Sequence, residues 1–255
     1  IKGRLREFRK QFGRPRRTLL TTAEKQNYVE EIKEEDMYVL IDRFGYTKSI
    51  DAATYSRTNE DALKEYPHII LMKNTDKLCV FTSEGNMYQV KGMALPRCKV
   101  KDKGTLIHAL CKLDKEEVVH YSCFEELFEA MLFFVTQKGF VKLVSGTEFE
   151  TNRSSINATK LESGDQVISI QQLTSHDVTD GDRRVFMHTR NGNSLVFNLE
   201  EVSQLKRGSR GVKGITLAPD DTVVLGRVFP PDNTIIKYHN KKMDASKIRK
   251  TRRCA

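Results

Sequence analysis

Two short stretches concentrate side chains of the kind that grip phosphate. LKRGSRGVKGI (205–215) carries Lys206, Arg207, Arg210 and Lys213, with Gly208, Gly211 and Gly214 at every third position. Lysine and arginine neutralise phosphate oxygens, and glycine lets backbone N–H groups come close to an anion. LPRCKVKDKGT (95–105) carries Arg97, Lys99, Lys101 and Lys103. Lys138 and Lys142, then Arg183, Arg184 and Arg190, are weaker candidates for the same role. Taken singly, such residues read equally well as solubilising surface. A third stretch, ETNRSSINATK (150–160), is more neutral but offers Arg153 and Lys160 beside small polar groups, whereas SRTNEDALKEY (56–66) is acidic as often as basic.

Catalytic chemistry has no such footing. No nucleophile, base and orienting acid can be assembled from the motifs. The five cysteines show no C-x-x-C spacing, and the six histidines are scattered without ligand partners, so no metal or other cofactor is expected and the cysteines read as buried thiols. The formal charge of +9 is uneven: residues 1–20 carry +7 and residues 241–255 carry +6, leaving −4 for the rest. A polyanion would therefore be held by local patches and not by bulk charge. No apolar run approaches the ~18 residues of a membrane span and no signal peptide opens the chain, which predicts a cytoplasmic protein without membrane contact.

The elements that must carry the basic stretches are repeats. MYVLIDRFGYTKSI, KLCVFTSEGNMYQV, MLFFVTQKGFVKLV and RVFMHTRNGNSLVF each place a glycine turn between two apolar runs. The turn glycines Gly45, Gly85, Gly139 and Gly192 lie 40, 54 and 53 residues apart, close to the length of a propeller blade. Glycine supplies the positive φ of a tight hairpin, and Asp42, Thr82, Thr136 or Thr189, three residues earlier, can bond the turn backbone. The apolar runs are nearly continuous, as expected of strands buried on both faces. HIILM, QVISI and TVVLG read as further strands, making up the four strands of a blade. NTIIKYHNKKMDASKI is a weaker fifth copy with Asn240 at the turn. Both main basic stretches follow the second strand of a hairpin, in equivalent places. A β-sandwich is the alternative architecture, but it predicts stricter alternation and closer turn signals.

On these residues the chain resembles the C-terminal β-pinwheel of bacterial type IIA topoisomerase A subunits. SRGVKGITLAPDDTVV (209–224) is similar to the family's G-V-[RK]-G-I followed by an acidic turn and an apolar strand. LCVFTSEGNMYQVKGMALP (78–96) is similar to its L-x-F-(x)-S-x-G-x-x-Y followed by L-P, and LREFRKQFGRPRRT (5–18) resembles the junction with the catalytic core. From the residues alone, that last stretch is a basic helix stopped by Gly13 and Pro15. The resemblance implies an all-β, propeller-like β-pinwheel of four to five four-stranded, hairpin-based blades that exchange strands, with a short N-terminal helical or extended basic segment. Residues 1–27 would be a basic linker from the catalytic core, 28–240 the DNA-binding pinwheel, and 241–255 a basic C-terminal strand or tail.

The resemblance further implies a non-catalytic module that binds and bends double-stranded DNA around its rim, in an ATP-dependent type II DNA topoisomerase. Its partners would be DNA, the catalytic core and, through it, the ATPase B subunit, in a cytoplasmic, nucleoid-associated setting. The gyrase signature box, a Gln, two basics and a Gly-rich tail, has no counterpart after Tyr55. The chain thus resembles topoisomerase IV more than gyrase, with a gyrase-type domain as the alternative. A propeller-type protein-interaction scaffold is a third reading, set back by the absence of Trp and hence of any WD dipeptide.

Overall fold

Each of the four apolar–glycine–apolar phrases folds as an antiparallel hairpin. The computed structural model describes residues 1–15, 18, 33–113, 115–179, 181–238, 241–251 and 253. Its strands in chain order are β1 (Asp36–Ile41), β2 (Tyr46–Asp51), β3 (His68–Lys73), β4 (Lys77–Thr82), β5 (Asn86–Lys91), β6 (Thr105–Leu106), β7 (Val118–Cys123), β8 (Met131–Thr136) and β9 (Phe140–Ser145). There follow β10 (Ser155–Asn157), β11 (Val167–Leu173), β12 (Arg184–Thr189), β13 (Ser194–Asn198), β14 (Val212–Lys213), β15 (Val223–Phe229), β16 (Ile235–Tyr238) and β17 (Lys241–Asp244).

The hairpin turns close as their residues require. The four turn glycines have φ between +76° and +90°. Asp42 Oδ1 accepts from the Phe44 and Tyr46 amides at 2.8 and 2.9 Å, and the Thr136 and Thr189 hydroxyls accept from the Phe140 and Asn193 amides at 3.2 Å. A second set of caps comes from carboxylates just before the next strand. Asp165 accepts from the Lys138 amide at 2.8 Å, and Asp221 from the Asn191 amide at 3.1 Å. Glu116 accepts from Thr82 and, at 2.7 Å, from the Tyr88 hydroxyl. On sequence alone, the acidic stretch containing Glu116 reads as a solvated turn; instead the side chain is half-buried against its hairpin.

The sheets are ordered β3-β1-β2-β6, β10-β5-β4-β7, β11-β8-β9-β14, β13-β12-β15 and β16-β17. The predicted strands HIILM, QVISI and TVVLG are β3, β11 and β15, and each pairs with the first strand of a hairpin. The outermost strand, however, belongs to the repeat that follows. β6 comes after the second hairpin yet pairs with β2 of the first, and β10 and β14 return in the same way to β5 and β9. In the fourth sheet Lys250 bridges Val196, with the Thr251 amide donating to the Val196 carbonyl at 2.9 Å. The fifth copy is a hairpin with Ile236 opposite Met243; its turn, with Asn240, lies outside the described residues.

Apolar side chains fill the spaces between consecutive sheets. In β4, Leu78 and Val80 face the first hairpin's Val39 and Ile41, while Cys79 and Phe81 face the third hairpin's Leu132 and Phe134. In β8 the alternate residues Phe133 and Val135 turn the other way, to Val185 and Met187 of the fourth. That two-sided burial is why the runs are continuously apolar. Residues Ile1–Lys33 are a unit apart from Glu34–Ala255. Within that first unit Lys2–Phe12 is a helix without buried residues, closed by the Gly13 amide on the Arg9 carbonyl at 2.9 Å.

Phe149, in the turn after β9, is fully buried and meets Phe81 of the preceding hairpin edge-on at 5.3 Å. Phe149→Ala is expected to destabilise the protein by about 3–5 kcal/mol, read as a lowered urea midpoint in circular dichroism.

Candidate nucleic-acid interface

The two basic stretches form equivalent arches. The first leaves a parallel bridge between Ser49 and Arg97 and rejoins the sheet at β6; the second leaves a bridge between Leu143 and Gln204 and rejoins at β14. Residues 98–104 and 205–211 lie between these attachments. Within each arch a tight turn forms, the Asp102 amide donating to the Lys99 carbonyl and the Ser209 amide to the Lys206 carbonyl, both at 3.0 Å. Gly104 and Gly211 close the arches with φ of +78° and +109°. A Cβ there would stand 2.5 Å from the Thr47 carbonyl oxygen and 2.8 Å from that of Val141, so the backbone itself lies on the strand.

Each arch is held at its centre by a buried lysine. Lys48 in β2 and Lys142 in β9 are each 1% exposed and both lie three residues after the turn glycine. Lys48 Nζ donates to the Val100 carbonyl, to the Asp102 carbonyl at 2.5 Å and to the Tyr66 hydroxyl at 2.7 Å. Lys142 Nζ donates to the carbonyls of Arg207 at 2.7 Å, Ser209 at 2.8 Å and Ala158 at 3.3 Å. The aromatic residue next to the turn glycine braces a cation from the same arch: Lys103 sits 4.1 Å from the Tyr46 ring centroid and Arg210 4.7 Å from that of Phe140.

With carbonyls drawn inward, the charges are left outside. Arg97, Lys99, Lys101, Lys103, Lys206, Arg210 and Lys213 are exposed and Arg207 is half-buried. Some already have protein partners: Arg97 pairs with Glu35 at 3.5 Å, Arg210 with Glu162, and Arg207 Nη1 donates to the Asn157 carbonyl at 2.7 Å. This last contact links the second arch to the neighbouring β10 segment, whose Thr159 hydroxyl donates to the Ser209 carbonyl at 3.2 Å. On the other side Arg253 Nη1 reaches the Lys213 carbonyl at 2.7 Å. Basic segments of three successive repeats thus adjoin.

The weaker candidates are placed differently. Lys142 is no surface cation: its amine is turned into the protein, where three carbonyls take it up, and it cannot reach a phosphate. Arg183 is half-buried in an ion pair with Asp177, and Lys138 Nζ is bonded to the Ser163 carbonyl at 2.5 Å. Arg184 is half-buried and Arg190 is exposed. None of Lys138, Arg183, Arg184 and Arg190 belongs to an arch. Lys48, absent from the candidates above, was legible only through the shared pattern of turn glycine, aromatic, any residue, lysine.

Residues 130–174 and 183–228 match the family described as DNA gyrase C-terminal domain, beta-propeller. The chain is 28% identical to the A subunit of DNA topoisomerase 4 from Bacillus subtilis over 99% of its own length and 33% of the relative's. It is 31% identical to the A subunit of DNA gyrase from Clostridium acetobutylicum over 84% of its length and 27% of the relative's. It thus spans a third or less of the length of these relatives. Among solved structures, the C-terminal domain of DNA topoisomerase IV superposes with a TM-score of 0.74 at 25% identity, covering 88% of this chain and 72% of that one. The E. coli ParC C-terminal domain gives 0.65 at 16%, covering 87% and 93%, which speaks for the fold alone.

The chain belongs to the C-terminal domains of the type IIA topoisomerase A subunits.

In this pinwheel residues 51–66, which include SRTNEDALKEY, form two short helices, Ala52–Arg57 and Glu60–Leu63, capped by Asp51 and Asn59, and Tyr55 stacks on Tyr38 with ring centroids 3.6 Å apart. The cysteines that are described carry no disulfide, and burial pushes the thiols of Cys79, Cys111 and Cys123 up to about 12. Among the described residues no helix is long and apolar enough to cross a membrane.

Burial pushes the Lys142 amine of the pinwheel down to about 7; the Arg207 charge adds to the fall and Glu148 opposes it. Between about pH 7 and the ordinary lysine value near 10.4 the unfolded chain therefore binds a proton that the folded one lacks. Stability contributed by this group rises with pH across that window, by at most about 1.4 kcal/mol per unit. Urea midpoints of wild type and Lys142→Met, compared at pH 7 and pH 9, are expected to shift in favour of the wild type at the higher pH.

Proposed function

We propose that this domain binds and bends double-stranded DNA by its backbone, presenting it for strand passage by a type IIA topoisomerase. The observation that carries the reading is the pair of equivalent arches, whose carbonyls are tied inward while Lys99, Lys101, Lys103, Lys206 and Arg210 face solvent. Lysine and arginine on phosphates release counterions and hold a duplex without reading its bases. Bending 20–30 bp through 40–90° costs on the order of 1–6 kcal/mol, which contacts spread over more than one sheet can offset.

In this reading residues 1–27 connect to a catalytic core, 28–240 form the DNA-binding pinwheel and 241–255 are a basic terminal segment. The protein partners are the core and, through it, an ATPase B subunit, in the cytoplasm on the nucleoid. The short helices in place of a gyrase box favour a topoisomerase IV type, in which the domain positions DNA without full wrapping. The gyrase-type alternative draws on the 31% identity to a gyrase relative.

Reversing charge at Lys206, Arg207 and Arg210 together is expected to weaken duplex binding and to flatten the slope of log K against log salt by up to about 2.7, at about 0.9 per contact. Unchanged affinity and slope at low salt would dispose of the second arch as a DNA contact. Ligation of nicked circles with the domain present reads the wrapping: a small linking-number change fits the topoisomerase IV type, and a large shift of one sign fits the gyrase type.

A further inference from the structure

We infer that Lys48 and Lys142 are positioning residues for DNA binding, each presetting one basic arch from beneath, so that the duplex is gripped at alternate sheets, the first and the third. The inference rests on the DNA-binding reading above and adds residues that touch no phosphate.

The geometry is the same in both places. Each Nζ bonds two carbonyls two positions apart in the arch, Val100 and Asp102 or Arg207 and Ser209. Each arch is also fixed at its two ends, by a parallel bridge and by a two-residue strand. A seven-residue connection held at both ends and in the middle has little conformational freedom left to lose when it meets a ligand. Order supplied in advance improves affinity because fewer side chains are immobilised on binding. The bonds also turn the partial negative charges of the carbonyls away from the face where the cations stand, which favours an anion there.

The second and fourth hairpins lack the device. Their residues three after the turn glycine are Tyr88 and Leu195. Tyr88 bonds Glu116, and Leu195 is buried among apolar side chains. The segment donated to the second sheet, β10, pairs along β5 over three consecutive residues and raises no arch. The alternation is therefore built into both the lysines and the loops they hold.

The test is a double-mutant cycle read by fluorescence anisotropy on a random-sequence DNA duplex. Lys142→Met in the wild type is expected to weaken binding about fivefold, although the side chain it removes is buried. In a background carrying Lys206→Ala, Arg207→Ala and Arg210→Ala the same substitution should matter less than about twofold, because the arch it positions has lost its charges. Hydrogen exchange should show amides 206–211 loosened in Lys142→Met while the core strands stay protected. Equal losses in both backgrounds, or no loss in either, overturn the inference. If the triple variant alone leaves affinity untouched, the second arch is not a DNA contact, and the exchange measurement still decides whether Lys142 orders it. Should Lys142→Met fail to fold, Lys48→Met against Lys99→Ala, Lys101→Ala and Lys103→Ala makes the same comparison in the first arch.

Discussion

Backbone pairing between each sheet and the repeat that follows it is the constraint on which the molecule depends. β6, β10 and β14 satisfy the outer N–H and C=O groups of β2, β5 and β9, groups that would otherwise form open edges. The same pairing decides where the basic residues go. The chain must travel outward from one hairpin to reach the outer strand of the one before, and the cations lie on that path. The two basic arches lie on the connections that finish the first and third sheets.

Burying two lysines is costly unless their donors are met, and here the partners are backbone carbonyls of an otherwise irregular loop. A loop of that kind would ordinarily leave its carbonyls to water. Lys48 and Lys142 take the place of that water as fixed donors, and Tyr46 and Phe140 brace a cation at the end of the arch. The result is a charged loop with the order of a core element.

Much of the architecture could be read from sequence because it is local. Hairpins need a glycine at positive φ with a bonding side chain before it, and strands buried on both faces need unbroken apolar runs; both leave marks within a short stretch of chain. The predicted strands HIILM, QVISI and TVVLG likewise declare themselves by composition. That blades exchange strands came from the resemblance, but which residues form the outermost strands was not legible, since β6 and β14 are two residues long and owe their existence to a partner strand rather than to propensity. Lys142 misleads for a related reason. A lysine among valines and leucines reads as a cation facing water, and only the folded loop reveals the three carbonyls waiting for it. Glu116 is the mirror case, an acid in a charged run whose acceptors serve a hairpin 30 residues away in sequence. The arches were visible as composition and as equivalent placement, but not as structures with a shared scaffold.

Strand donation has a consequence for how the molecule is made. On a ribosome the chain emerges from its N-terminal end, and β2 waits for Thr105 and Leu106 before its sheet is whole, as β5 waits for residues 155–157. Each of the first three sheets is finished one repeat late, so the nascent protein carries an unfinished edge, handed forward from hairpin to hairpin as synthesis proceeds.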